Sequence, residues 1–347
     1  MPRAVSAEVS IRLASPPRCG LGMPIANRHL TPPSTAVFHA LRRLRASSLL
    51  KASTMSHVSL DSIFASRSIA VVGASDQVGS VGGAVFANLR AGSFNGSVFL
   101  VNRKQGTMLG ETAYGTIAEL PETPDLVVVC TPAATVPALV HDCGERGVPG
   151  MIVISASFRE AGAAGRQLEA ELRAAQREYP NLRIIGPNCL GVLRPANGLN
   201  ASFAPVQPGN GRLTFLSQSG ALCTAILDWS IEREIGFATC VSVGNMLDVG
   251  MGDLIDYFAH DEQTDALLLY IEGLDDVPHF LAAARACKRH KPTIAYKAGR
   301  FEESAASHTG ALASVDAVYD AAFRRAGSGR DHGRIAKGLD LGTGSAR

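Results

Sequence analysis

From Ile69 onward the chain alternates strand-length apolar runs with helix-length stretches, and this rhythm limits the fold more than any other feature. Runs at 69–72, 98–101, 125–130, 150–154 and 182–185 are separated by segments such as 133–147 and 161–178. Short continuous apolar runs suit strands buried on both faces, and strands alternating with helices predict a parallel, doubly wound sheet with right-handed crossovers. A Pro/Gly/Asn stretch from Arg194 to Gly211 interrupts the rhythm and is read as the domain boundary. A second series follows, with strands near 212–217, 238–243, 265–271 and 292–297 and helices near 220–234, 252–260, 277–290 and 311–326. The fold class is therefore α/β: a Rossmann-like unit over 58–196, then a flavodoxin-like parallel-sheet unit over 206–327.

The two ends read differently. Residues 1–57 hold seven Arg, one Lys and a single acid, Glu8, with no sustained apolar period, and the segment is expected to be disordered. It reads either as a transit peptide or as a start codon placed upstream of the true one, since Met55 opens an ordinary-looking beginning. Residues 328–347 contain five glycines in twenty and no apolar stripe, so they too are expected to be a disordered tail. Beyond position 57 acids outnumber bases, which argues against a nucleic-acid partner. No apolar run approaches the roughly 20 residues that span a bilayer, so no membrane role is expected. The seven cysteines show no metal-ligand spacing, which predicts no metal site and reduced thiols in the cytoplasm.

Four motifs could carry chemistry. Gly73, Ala74 and Ser75 follow the first strand, with Gly79, Gly82 and Gly83 after them. Such a turn lets backbone approach a phosphate at a helix N-terminus, though strict GxGxxG spacing is absent and a merely tight turn would look similar. NAD binders place an acid after the second strand for the ribose diol. Here stand Asn102, Arg103 and Lys104, which suit a phosphorylated ribose or else a solvated turn. Next, Gly186-Pro187-Asn188-Cys189 ends a strand; Asn188 could bond a ligand or brace its own loop, and Cys189 reads as a buried thiol. Third, Ser217, Gln218, Ser219 and Gly220 lead a strand into a helix, as an anion site or as an ordinary N-cap. Fourth, His308 sits among Ser307, Thr309 and Gly310, where an exposed imidazole could act as a nucleophile. Glu272, ending the strand 267–271, could hold its second nitrogen.

The order GAS, GPN, SQSG, SVGN, SHTGALA resembles the α-type region of ADP-forming acetyl-CoA synthetases, relatives of succinyl-CoA synthetase, from about Leu60 to Gly327. Gly198–Phe203 and Leu227–Trp229 are similar, more narrowly, to proteins that fuse such a synthetase to a GNAT acetyltransferase. The resemblance implies that the first unit binds coenzyme A, with Gly73, Ala74 and Ser75 at its pyrophosphate, Arg103 and Lys104 near the adenosine phosphates, and Asn188 near the pantetheine arm. It implies that His308 is phosphorylated, that Glu272 orients it, and that the helix opened by Ser217–Gly220 receives the phosphoryl group. The implied reaction joins a short-chain acid to coenzyme A with ATP, giving acyl-CoA, ADP and phosphate. An ATP-grasp region as domain or subunit, with its ATP and Mg, would be the partner.

The family's next subdomain, ATP-grasp and GNAT regions do not appear in this sequence, so the chain is expected to be incomplete as a synthetase. A non-catalytic coenzyme A or acyl-CoA sensor belonging to a lysine acetyltransferase is the alternative. A dehydrogenase is disfavoured by Arg103 and Lys104.

Overall fold

A computed structural model of the protein describes residues 60–298 and the backbone of Gly329–Arg330. Two seven-stranded sheets dominate it, and both belong to one compact unit. The first sheet takes β1 (Ser68–Val72), β2 (Ser97–Val101), β3 (Gly106–Met108), β4 (Glu111–Tyr114), β5 (Leu126–Val129), β6 (Gly150–Val153) and β7 (Arg183–Ile185) in the order β3-β4-β2-β1-β5-β6-β7. All neighbours pair in parallel except β3 with β4. Strands β1, β5 and β6 are buried throughout, which explains why they read as unbroken apolar runs. Helices α1 (Val81–Ala91), α2 (Val136–Arg146) and α3 (Ala163–Glu178) connect them.

The second sheet runs β14-β13-β12-β10-β11-β8-β9. Its parallel part comprises β10 (Asn210–Ser217), β11 (Phe237–Ser242), β12 (Ala266–Ile271), β13 (Thr293–Lys297) and β14 (Gly329–Arg330). Helices α4 (Gly220–Glu232), α5 (Met251–His260) and α6 (Val277–Cys287) lie between these strands. The strand order reverses at β10, so the carboxyl ends of the strands around it form the crevice where doubly wound sheets bind ligands.

Two hairpins depart from the expected pattern. Strands β3 and β4 are joined through Leu109 and Gly110, both at positive φ, the backbone of a two-residue hairpin turn. Strands β8 (Gly191–Arg194) and β9 (Leu199–Ser202) form a second hairpin, and β8 pairs antiparallel with β11. The chain thus changes sheet between Ile185 and Gly191, ahead of the Arg194–Gly211 stretch read as the boundary. Within the segment expected to be a disordered tail, Gly329–Arg330 pairs with Ile294 and Ala295 as β14. Residues 1–57, the expected helix 311–326 and the remainder of the tail lie outside the described residues.

One apolar cluster joins the two sheets, from Ile69, Val71 and Ile152 through Ile185 and Cys189 to Leu216, Val241 and Phe258. The other face of the first sheet packs under α2 and α3, and the other face of the second under α4. Tyr257 Oη donates to Asp61 Oδ1 at 2.7 Å, and Arg194 is ion-paired with Asp261 at 2.7 Å with both side chains under 10% exposed. The first contact ties α5 to the segment before β1, and the second ties β8 to the end of α5. None of the helices among the described residues is long and apolar enough to cross a membrane.

Candidate functional site

A cavity of about 710 Å³ opens at the carboxyl ends of the strands, where the two sheets meet. The first unit contributes Val81, Cys130, Ser155, Ala156 and Asn188; the second contributes Phe203, Gln218, Ser219, Gly220, Thr224 and Glu272. Asn188 has φ of 58°, and its N–H donates to the Ser155 carbonyl at 2.9 Å. That left-handed backbone turns the side chain into the cavity, where its amide has no hydrogen-bond partner among the described residues. Asn tolerates this conformation better than most residues, which explains its presence at the strand end.

The turn from β10 into α4 is built from its own side chains. Ser217 Oγ, fully buried, accepts from the Ser219 N–H at 3.1 Å and donates to the Ser219 carbonyl at 2.9 Å. Ser219 caps α4, its hydroxyl accepting from the Leu222 N–H at 3.3 Å. The N–H groups of the first turn have no acceptor within the helix, so the positive end of α4 faces the cavity. Gln218 Oε1 reaches across to accept from the N–H groups of Glu272 (2.5 Å) and Gly273 (3.0 Å). Its amide oxygen is therefore committed to bracing the turn that carries Glu272. Glu272 and the N-terminus of α4 line the same space. That pairing of a carboxylate and an oriented N–H array can hold a protonated nitrogen on one side and an anion on the other.

Gly73 follows β1 with φ of 92°, a conformation glycine adopts without strain. Asn102 Nδ2 donates to the Ala74 carbonyl at 2.6 Å, and Asn102 Oδ1 accepts from the Lys104 N–H at 2.9 Å. Ser75 Oγ accepts from the Gln77 N–H at 3.1 Å. Asn102 is thus a scaffold between the two turns, a role its sequence setting did not reveal. Arg103 and Lys104 are exposed on the turn after β2, and neither they nor Gly73, Ala74 and Ser75 line the cavity. Cys189 is buried, its Sγ donates to the Val153 carbonyl at 3.3 Å, and burial pushes its thiol well above the ordinary range. Burial likewise pushes the Cys130 thiol up to about 12, so neither wall cysteine offers a thiolate near neutral pH. His308 lies outside the described residues.

The cavity also has members that the sequence did not single out: Val81, Cys130, Ser155 and Thr224. Phe203, noted only within Gly198–Phe203, stands at the cavity 38% exposed.

Two family models match the chain in succession: a CoA binding domain over residues 67–195 and a succinyl-CoA ligase like flavodoxin domain over 210–331. The chain is 41% identical over 271 residues to ADP-forming acetate–CoA ligase I of Archaeoglobus fulgidus, covering 77% of this chain and 39% of that protein. It is 40% identical over 277 residues to the α subunit of ADP-forming acetate–CoA ligase I of Pyrococcus furiosus, covering 78% of this chain and 60% of that subunit. Among solved structures, a dinucleotide forming acetyl-coenzyme A synthetase 1 of Ca. Korarchaeum cryptofilum, in complex with phosphate and ADP, superposes with a TM-score of 0.75 at 35% identity. That match covers 79% of this chain and 59% of the other. The chain therefore spans roughly two-fifths to three-fifths of the relatives it matches.

Proposed function

Because the chain belongs to the ADP-forming acyl-CoA ligase family, carrying a CoA-binding domain followed by a succinyl-CoA ligase-like flavodoxin domain, we propose that its cavity binds coenzyme A and serves acyl transfer through phospho-His308. The observation that carries this reading is the convergence of Asn188, the N-terminus of α4 and Glu272 on one cavity shared by both domains. The Asn188 amide would bond the amides of the pantetheine arm. The Gly73–Ser75 turn would take the pyrophosphate, with Arg103 and Lys104 at the adenosine phosphates.

In the phosphoryl step the neutral imidazole of His308 is the nucleophile. Glu272 would accept the N–H of the other ring nitrogen and so fix the tautomer. The N–H groups opening α4, framed by Ser217 and Ser219, would stabilise the equatorial oxygens, the main demand of phosphoryl transfer on a protein. The net reaction is a short-chain acid, coenzyme A and ATP giving acyl-CoA, ADP and phosphate. Nucleotide and its Mg would enter with an ATP-grasp partner, and the setting is cytoplasmic.

Calorimetric titration of the full chain should show coenzyme A binding more tightly than NAD, with Lys104→Ala weakening it about tenfold. Equal or tighter NAD binding overturns the assignment. With an ATP-grasp partner and ATP, an acid-labile phosphate should appear on His308, disappear in His308→Asn and diminish in Glu272→Gln. Coenzyme A binding without any such phosphate would instead favour the sensing module.

A further inference from the structure

We propose that Asn245 is a positioning residue for the cavity, acting from the second domain through the 155–160 turn and the 186–188 loop of the first. The proposal rests on the reading that this cavity takes coenzyme A. Asn245 sits in the loop between β11 and α5, fully buried and away from the cavity itself. Its Nδ2 donates to Glu160 Oε2 and to Glu169 Oε2, both at 2.9 Å. Its backbone N–H donates to the Pro187 carbonyl at 2.8 Å, and its carbonyl accepts from Arg159 Nη2 at 2.7 Å. One residue thereby makes four bonds to the other domain: two to Arg159 and Glu160, one to Glu169 of α3 and one to Pro187.

The 159–160 turn and the Pro187 loop adjoin walls of the cavity. Glu160 Oε1 accepts from the N–H groups of Ser157 (2.6 Å) and Phe158 (3.0 Å), holding Ser157 at a φ of 82° that serine rarely adopts. Ser155 and Ala156, just before this turn, line the cavity, and so does Asn188, next to Pro187. The chain of support runs from Asn245 to Glu160 to the turn, and from Asn245 to Pro187 to Asn188.

Residue type matters at this position. The two carboxylates need donors, and a single neutral amide nitrogen supplies both. Rotating the amide would set its oxygen against both acids, so its orientation is fixed even though Oδ1 has no partner among the described residues. Burial works to raise the Glu160 carboxyl, but the Asn245 amide and the backbone N–H groups outweigh it and hold the group below its ordinary range. An aspartate at 245 would place a third negative charge against the buried Glu169 and the part-exposed Glu160, and an alanine would leave both acids short of a donor.

The test is hydrogen exchange on the full chain together with coenzyme A titration. In Asn245→Ala, exchange should accelerate about tenfold at 155–160, and at Asn188 through its N–H bond to the Ser155 carbonyl, while β1 stays protected, and coenzyme A should bind about tenfold more weakly. Asn245→Asp should be worse on both counts. Adding Glu160→Gln to it should restore much of the loss, because the new amide can donate to the aspartate and still accept from Ser157 and Phe158. Should the Asn245 variants not fold, Glu160→Gln alone sets amide against amide and should loosen the same 155–160 turn. Unchanged exchange at 155–160 in a folded variant overturns the proposal. So does faster exchange with unaltered coenzyme A affinity, which would make Asn245 purely structural. Failure of the wild-type chain to bind coenzyme A defeats the ligand assignment instead, and the exchange pattern still decides whether Asn245 holds the walls.

Discussion

The β1–α1 and β10–α4 connections solve one problem in two ways. Each takes a buried parallel strand into a helix with a serine N-cap, Ser80 accepting from Gly83 and Ser219 from Leu222. The first connection is eight residues long, with bonds of its own from Gln77 and Ser80 to Ser75 and two more from other elements, by Asn102 on Ala74 and by the Leu109 N–H on Asp76. The second has two residues, closed by Ser217 on Ser219 and tied to the end of β12 by Gln218. Glycine serves the two differently as well. A Cβ on Gly82 would collide with the Gly73 carbonyl, so α1 rests directly on the turn it follows, whereas a Cβ on Gly220 would meet nothing nearer than 3.6 Å. The long turn is held by backbone contact between strand and helix, and the short one leaves room above its helix. The difference teaches that the shorter connection, with open space above its first helical residue, is the one free to present N–H groups to a ligand.

The largest effect that could break this contrast is expected at the two glycines. Gly82→Ala should destabilise the protein by about 1–3 kcal/mol in urea unfolding, since backbone must shift to admit the methyl. Gly220→Ala should leave stability within about 0.5 kcal/mol, because alanine is the better helix former and finds space there. Equal effects would mean that α1 and α4 sit alike on their turns. The caps should come next. Ser80→Ala and Ser219→Ala should each cost about 1 kcal/mol. Only Ser219→Ala should also reduce phosphate transfer to His308, and a matching loss in Ser80→Ala would show that the first turn carries the same duty.

The smallest effect is a pH dependence confined to the second domain. The bond from Asp256 to His279, at 3.3 Å across α5 and α6, raises that imidazole above its ordinary 6.5, against the opposing effect of burial. A raised folded value means that the stabilisation is complete below about pH 6.5 and is lost as pH climbs through the folded value. The stability gap between wild type and His279→Gln should therefore be wider near pH 6 than near pH 8.5, measured by urea unfolding. A gap that does not vary with pH would show that the contact acts through packing alone.

The parts legible in the sequence are those whose signal is local. Strands such as Leu126–Val129 and Gly150–Val153 announce themselves because burial on both faces demands uninterrupted apolar residues. The β3–β4 and β8–β9 hairpins have strands of three or four residues, too short to show a period, although Leu109-Gly110 and Asn197-Gly198 were turn signals that could have been read. For the site, Asn188, Ser219, Gly220 and Glu272 were legible as strand-end or cap residues, and the structure brings them to one cavity. Partnerships between distant residues were not legible. Gln218 with Glu272 spans 54 positions and Asn245 with Glu160 spans 85, and both depend on the order in which strands are laid side by side.

The early change of sheet bears on anyone who would express the halves separately. A cut within the Pro/Gly/Asn stretch strands β8 and β9 with the wrong fragment. The second half would then expose the flank of β11 at Cys240 and Val241, where β8 normally pairs, and a bare flank of that kind recruits other chains. Cutting before Gly191 instead keeps that flank covered but strips α1 of its tether, since Asn88 Nδ2 donates to the carbonyls of Ser202 and Ala204 at 2.8 and 2.9 Å. The β8–β9 hairpin behaves as a dovetail joint: it is sheet to one half and clasp to the other, and no single cut gives each half its full complement.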